Sequence, residues 1–125
     1  MKRENISSGS TWEPKVGYSR AVRMGNLIFV AGTTANTPDA DAYTQTKEIL
    51  QRIEAALQQA GSSLKDVLQT RMFVTDIDQW EAYGRAHAES FGDIRPATSM
   101  IEVKRLIDPR LKIEIEAIAM VSDAQ

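Results

Sequence analysis

Glu114 and Glu116 stand in the run Lys112-Ile113-Glu114-Ile115-Glu116-Ala117-Ile118-Ala119. In an extended strand, alternate residues share a face, so both carboxylates leave the same side with side-chain origins about 6.6 Å apart. Such a pair can divide acid and base work if the side chains converge. Left in water, it is an ordinary solvated face. Burial would raise a carboxylate's pKa, whereas Arg71 or Lys112 nearby would lower it. Arg71 itself has two readings. Its planar fork can hold a substrate carboxylate through paired N–H donors, or it can pair with Glu114 across strands or subunits. Arg95, fixed beside Pro96, is either a further anion-binding group at a pocket rim or a surface arginine.

Other chemistry-bearing residues are sparse. His87 is the single histidine and falls on an apolar helical stripe, where a packed, hydrogen-bonded side chain is the ordinary reading and a base the sharper one. Tyr18 can line a cleft and offer its hydroxyl to a small ligand, or pack against the fold. Gly32-Thr33-Thr34 closes a strand with amides and hydroxyls that could touch an anion, although one glycine does not make a phosphate loop. There is no cysteine, which excludes disulfides, thiolate metal sites and cysteine nucleophiles. No histidine cluster suits zinc, and Asp76 and Asp78 read as helix entry rather than as metal ligands. No bound cofactor is expected.

Lys plus Arg number 15 and Asp plus Glu 17, for a net charge of −2, so no strong positive field gathers a phosphate backbone. Aromatics, at 6%, do not interleave with basic strand residues as in single-strand readers. Nucleic acid is therefore not the expected partner. The longest apolar stretches, such as Leu27 to Ala31, are strand-sized, far short of the roughly 20 residues a membrane helix needs. No apolar signal core opens the chain, and a cytoplasmic location with no membrane partner is the expectation.

The elements that must position these groups follow from periodicity. The 125 residues suit one domain, 1–125, with polar terminal tails. Met1 to Gly17 reads as an irregular lead-in that Trp12 and Val16 tack onto the body. Tyr18 to Arg23 and Leu27 to Ala31 form a hairpin across Gly25-Asn26. A helix over Asp41 to Ala60 places Ile49, Ile53, Leu57 and Ala60 on one stripe, with Gly61 as its left-handed cap. The next strand lies within Leu64 to Thr75 and begins near Val67. Asp78, with Glu81 three residues on, predicts the capped start of a second helix. Trp80, Tyr83, His87 and Phe91 form its stripe, and Gly92 its end. Strands at Thr98 to Leu106 and Lys112 to Val121 complete the order β-β-α-β-α-β-β.

Alternation assigns Ile113, Ile115, Ala117 and Ala119 to the helix-covered side of the last strand. Leu68, Thr70, Met72 and Val74 take that side in the third strand. Arg71, Phe73, Ile118 and Met120 then lie opposite, a mixture of polar and apolar groups. Two helices cover one side of so small a sheet and leave the other either to a further subunit or as a mixed face in water.

The run Arg95-Pro96-Ala97-Thr98-Ser99-Met100-Ile101-Glu102-Val103, with Lys112 to Ala119 after it, resembles the Rid family of reactive-intermediate deaminases, also called YjgF/UK114 proteins. Gly17-Tyr18-Ser19, Ile28 to Gly32 and Phe73-Val74-Thr75-Asp76 match in the expected order. The resemblance covers about residues 15 to 121. It implies a chorismate-mutase-like α+β fold, with a mixed sheet and two helices on one face. It also implies a homotrimer with clefts between subunits, and cofactor-free hydrolysis of small enamines or imines to keto acids and ammonia. By the same resemblance Glu114 matches the carboxylate that activates water, Tyr18 the pocket tyrosine, and Gly32 the strand end that brings backbone groups to the substrate. Thr98 stands where active deaminases carry the substrate-binding arginine. Ala31 replaces a common serine, Gly84 lies near a pocket asparagine, and Met100 replaces a frequent cysteine. Threonine offers one neutral hydrogen bond where the arginine offers a charge and two. Arg71 or Arg95 would have to supply a displaced cation. The implied function is hydrolysis of a small reactive enamine or imine. The alternatives are a metabolite-binding homotrimer without turnover and a protein-interaction module.

Overall fold

The computed structural model describes residues 1–122. Six strands form one mixed sheet: β1 (Arg3–Ile6), β2 (Ala21–Met24), β3 (Leu27–Thr33), β4 (Val67–Val74), β5 (Ala97–Glu102) and β6 (Ile113–Met120). Three helices accompany them: α1 (Trp12–Val16), α2 (Ala42–Gln59) and α3 (Trp80–Phe91). The spatial order is β1-β2-β3-β6-β4-β5. Both β3 and β4 run antiparallel to β6, so they are parallel to each other, with the last strand inserted between them. The β4–β5 pair is parallel, because α3 carries the chain back before β5 starts.

The β2–β3 hairpin forms as expected, with Gly25 in the left-handed conformation that its turn requires. Helix α2 begins where Asp41 accepts the Thr44 N–H at 2.8 Å. It closes on Gly61 at φ 83°, with Ser62 N–H bonded to Leu57 O and Gly61 N–H to Gln58 O, a Schellman cap. Its Ile49, Leu50, Ile53 and Leu57 are buried against the sheet. They share one cluster with Tyr83 and Phe91 of α3, with Met72 and Val74 of β4, and with Ile113, Ile115, Ala117 and Ala119 of β6. The alternation predicted for the last strand is the observed one.

Several expectations are corrected. The lead-in is ordered: Arg3–Ile6 pairs with β2 as an edge strand, and Trp12–Val16 makes one helical turn. An exposed polar edge strand carries no alternation to read. Leu68 faces out, not into the core, because the β4–β6 register shifts between Val67 and Gln69 and hands the inward position to Val67. Asp78 does not cap the second helix. A 3-10 turn at Ile77–Gln79 intervenes, and Asp76 accepts the Asp78 N–H instead. Trp80 becomes the first residue of α3 and is exposed, so the buried stripe starts at Tyr83. Gly92 keeps helical angles, and the chain turns at Arg95, whose φ is 56°. Residues 123–125 of the expected C-terminal tail lie outside the described residues. No helix among the described residues is long and apolar enough to cross a membrane.

Candidate functional site

Register lines lay out the sheet face that α2 and α3 leave bare. Val22, Phe29, Ile118 and Gln69 follow one another from β2 to β4. The next line holds Glu116 and Arg71, and the one after it Glu114, Phe73 and Ile101. A bulge interrupts the first of these neighbours. Between Val30–Ala117 and Thr33–Ile115, β3 carries Ala31 and Gly32 where β6 carries Glu116 alone. Val30 and Thr33 are buried while Ala31 and Gly32 are not, so the extra residue turns both of the latter toward the open face.

That bulge receives Glu114. A β-carbon on Gly32 would overlap the Glu114 carboxylate, so glycine is what allows the side chain to lie across the strand. Half-burial pushes the Glu114 pKa up, and the negative charge of Glu116 adds to the rise; Arg20 opposes both. A carboxylate with weakened hydration and a raised pKa is a better proton acceptor than one in water.

Arg20 is the charged neighbour that sequence reasoning missed. Only 7% of it is exposed, its Nη2 donates to Gly32 O at 2.7 Å, and its Nε has no hydrogen-bond partner. Its guanidinium carbon lies 5.5 Å from the Tyr18 ring centroid. Burial lowers its pKa, with Tyr18, Glu13 and Glu114 pulling the other way and Arg52 pushing with burial; an arginine nonetheless stays charged. Glu13, also buried, turns its carboxylate to Ser8, accepting the Ser8 hydroxyl at 2.5 Å and the Ser8 N–H at 3.1 Å. The Ser8 bonds hold its pKa below the usual value despite burial. The available signal for Arg20 was its place one residue before the inward Ala21, which puts it on the bare face.

Beside this group an open concavity of about 800 Å³ runs over the bare face. Glu13, Pro14, Gly17 and Tyr18 line one side, Phe29 and Ile118 the middle, and Arg71 and Glu116 the far end. Arg71 pairs with Glu116, at 2.7 Å from Nη2 and 3.0 Å from Nε, rather than with Glu114.

Thr98 lies elsewhere. Its hydroxyl meets Thr70 Oγ1 at 2.8 Å and donates to Pro96 O at 3.1 Å, and Thr70 in turn meets His87 Nε2 at 2.9 Å. Thr70 and His87 are buried on the helix side, so within one chain Thr98 and Glu114 belong to opposite sides of the sheet. His87 is thus the packed, hydrogen-bonded histidine, and burial lowers its pKa. Arg95 is exposed at the turn before Pro96. One chain therefore brings together Glu114, Gly32, Tyr18 and Arg20, sets Arg71 close by, and leaves Thr98 and Arg95 apart.

A mixed six-stranded sheet flanked by helices is shared with known relatives. Residues 9–121 match the family model described as Endoribonuclease L-PSP. A crystal structure of a Mycobacterium tuberculosis member of the YjgF/YER057c/UK114 family superposes with a TM-score of 0.93 at 55% identity, covering 96% of this chain and all of that one. A RutC family protein of Pyrococcus abyssi is 36% identical over 95% of this chain and 98% of its own length. The 3-aminoacrylate deaminase RutC of Acinetobacter baylyi is 32% identical over 97% of this chain and 100% of its own length. The chain belongs to the YjgF/Rid family.

Proposed function

We propose that this protein hydrolyses small reactive enamines or imines, with Glu114 orienting the attacking water. The observation that carries the reading is the seat of Glu114: a half-buried carboxylate against the Gly32 backbone, raised in pKa, beside a concavity lined by its neighbours Ala31 and Glu116. The relative that acts on 3-aminoacrylate supports the reaction class.

An enamine first takes a proton on carbon to become an iminium ion. Glu114 then accepts a proton as the water oxygen bonds to the iminium carbon, and the C=N electron pair moves to nitrogen, which leaves a neutral carbinolamine. Glu114 returns that proton to the nitrogen, and the C–N bond breaks as the hydroxyl proton leaves to solvent, releasing ammonia and a carbonyl compound. Backbone groups at the bulge steady the charge that develops, and Tyr18 packs over the bound molecule. Acting in a homotrimer, the site would gain the partner's copy of the Thr98 edge across the subunit boundary, together with Arg71 or Arg95 as anion-facing groups. The exposed Phe29 and Met120, with the half-buried Ile118, are the apolar surface such an assembly would cover.

A second reading follows from Thr98. Its one proton is given to Pro96, and a threonine has no guanidinium with which to hold a carboxylate. A metabolite-binding protein without turnover would keep the pocket and dispense with that grip. Ammonia release from freshly generated 2-aminoacrylate, 3-aminoacrylate and neutral imines separates the two. Turnover above buffer that disappears in Glu114→Gln is the expected result. No turnover with saturable binding would favour the second reading, and full activity in Glu114→Gln would remove the mechanism.

A further inference from the structure

Arg20 is an expensive residue to bury. A guanidinium that is 7% exposed, with one hydrogen bond to a neutral carbonyl and an unpartnered Nε, has lost far more hydration than that bond returns. No ion pair compensates it among the described residues. The carbonyl it holds belongs to Gly32, the residue across which Glu114 lies. The arginine and the carboxylate therefore grip the same bulge, the former through its oxygen and the latter against its α-carbon.

We infer that Arg20 is a positioning residue for Glu114: it clamps the Gly32 carbonyl, so that the bulge keeps its shape, and it sets a buried positive charge beside the carboxylate. The inference rests on the reading of Glu114 as the water-orienting group but concerns a different residue. Bulges re-aim side chains because their backbone departs from the ladder, and a departed backbone needs its freed oxygen satisfied. Arg20 supplies that satisfaction for Gly32. Its charge acts through space in the same direction, favouring the carboxylate form that accepts a proton. The charged groups around the pair are Glu116 on β6, Glu13 on α1 and Arg52 on α2, with Tyr18 beside the guanidinium. Glu116 opposes Arg20 at Glu114 but is itself engaged by Arg71. Arg52 donates to Thr34 O, so it braces the far side of the same strand end.

Two conservative replacements separate clamp from charge. Arg20→Gln keeps a donor for the Gly32 carbonyl and removes the charge; Arg20→Lys keeps the charge and loses the fork. In the full-length protein labelled with carbon-13, the Glu114 carboxyl carbon is followed through a pH titration. Arg20→Gln is expected to titrate higher than wild type by about one pH unit, a tenfold change in the proton equilibrium, and Arg20→Lys to stay near wild type. The acid limb of ammonia release should move with the carboxyl in each variant, with kcat rather than KM carrying the loss. An unmoved carboxyl titration in Arg20→Gln, or an equal shift in both variants, overturns the inference whatever the activity does. If the carboxyl shifts and the pH–activity profile does not, Arg20 acts on Glu114 as inferred and the catalytic reading of Glu114 fails instead. Arg20→Lys guards against an unfolded glutamine variant, since a large upward carboxyl shift in a folded lysine variant sinks the role of charge by itself.

Discussion

The two faces of β6 are built from the same eight residues and obey different rules. On the helix side Ile113, Ile115, Ala117 and Ala119 form an unbroken apolar row, essentially without exposure. On the other side Glu114, Glu116, Ile118 and Met120 alternate charge with apolar surface, and Phe29, their neighbour on β3, is 52% exposed. The first face is a core and tolerates only shape-preserving change. The second holds an ion pair, a bulge and a half-buried carboxylate, the features that a core would reject. The comparison separates two roles along one strand: odd-numbered residues hold the sheet to its helices, while even-numbered ones make up the face the helices leave bare.

The largest expected difference is in stability. Ile115→Ala should cost about 2–5 kcal/mol by urea denaturation, the usual range for a large-to-small change in a packed core. Ile118→Ala should cost about 1 kcal/mol or less while its face is in water. Equal costs would mean that the bare face is covered in solution, and a loss that grows on dilution would identify another copy as the cover.

Gly32→Ala should reverse the pattern, with large effects on chemistry and small ones on the fold. Its φ is not positive, so alanine meets no backbone strain there, and the atom in its way is the end of a flexible side chain. Glu114 can swing aside and leave the sheet intact. Displacing a catalytic group by about an ångström is worth roughly a hundredfold in turnover. Ammonia release reads that loss, while the thermal midpoint should stay close to wild type. Retained activity would place the reacting centre away from the bulge.

How much of this was legible follows from the kind of signal each part carries. The helix-facing rows of β6 and α2 repeat strictly with periods 2 and 3.6, so their burial could be written down from the residues. Leu68 could not, because a register shift leaves no mark in alternation. The polar Arg3–Ile6 strand also escaped, being an edge exposed almost throughout. Asp76 rather than Asp78 meets the first free N–H because a 3-10 turn precedes α3, and such turns have no distinct pattern. At the site, Glu114 and Gly32 were recognisable from matched motifs, yet their contact depends on a bulge. Arg20 stayed hidden because a charged residue at a strand start reads as solvent-facing, whereas its buried side chain reaches the Gly32 carbonyl at a bulge that alternation does not reveal.

A smaller effect tests the raised pKa of Glu114. Burial and Glu116 favour the protonated form in the fold, so the folded pKa exceeds the unfolded one. The native state then binds the proton first, and the charged carboxylate costs stability once pH rises through the folded pKa. Glu114→Gln does not titrate. It should therefore be more stable than wild type near neutrality, with the advantage shrinking as pH falls toward the unfolded pKa. Parallel urea curves between neutral and mildly acidic pH check the sign. An advantage that grew in acid would mean the carboxylate is held by partners rather than strained by burial.

The smallest effect sharpens the comparison most. Arg71 and Glu116 form a two-bonded pair with side chains 51% and 35% exposed. An ion pair so open to water is worth about 0–1 kcal/mol. A double-mutant cycle with Arg71→Met and Glu116→Gln should return a coupling in that range at protein concentrations where the chain is monomeric. At concentrations where copies associate, the same pair would be closed off from solvent, and its coupling should rise, because breaking a buried pair leaves an uncompensated charge. A coupling independent of concentration would mean that the even-numbered face stays wet even in any assembly. The concavity above Phe29 and Ile118 would then be a surface groove, and Glu114 would do its work at an open edge rather than in an enclosed cleft.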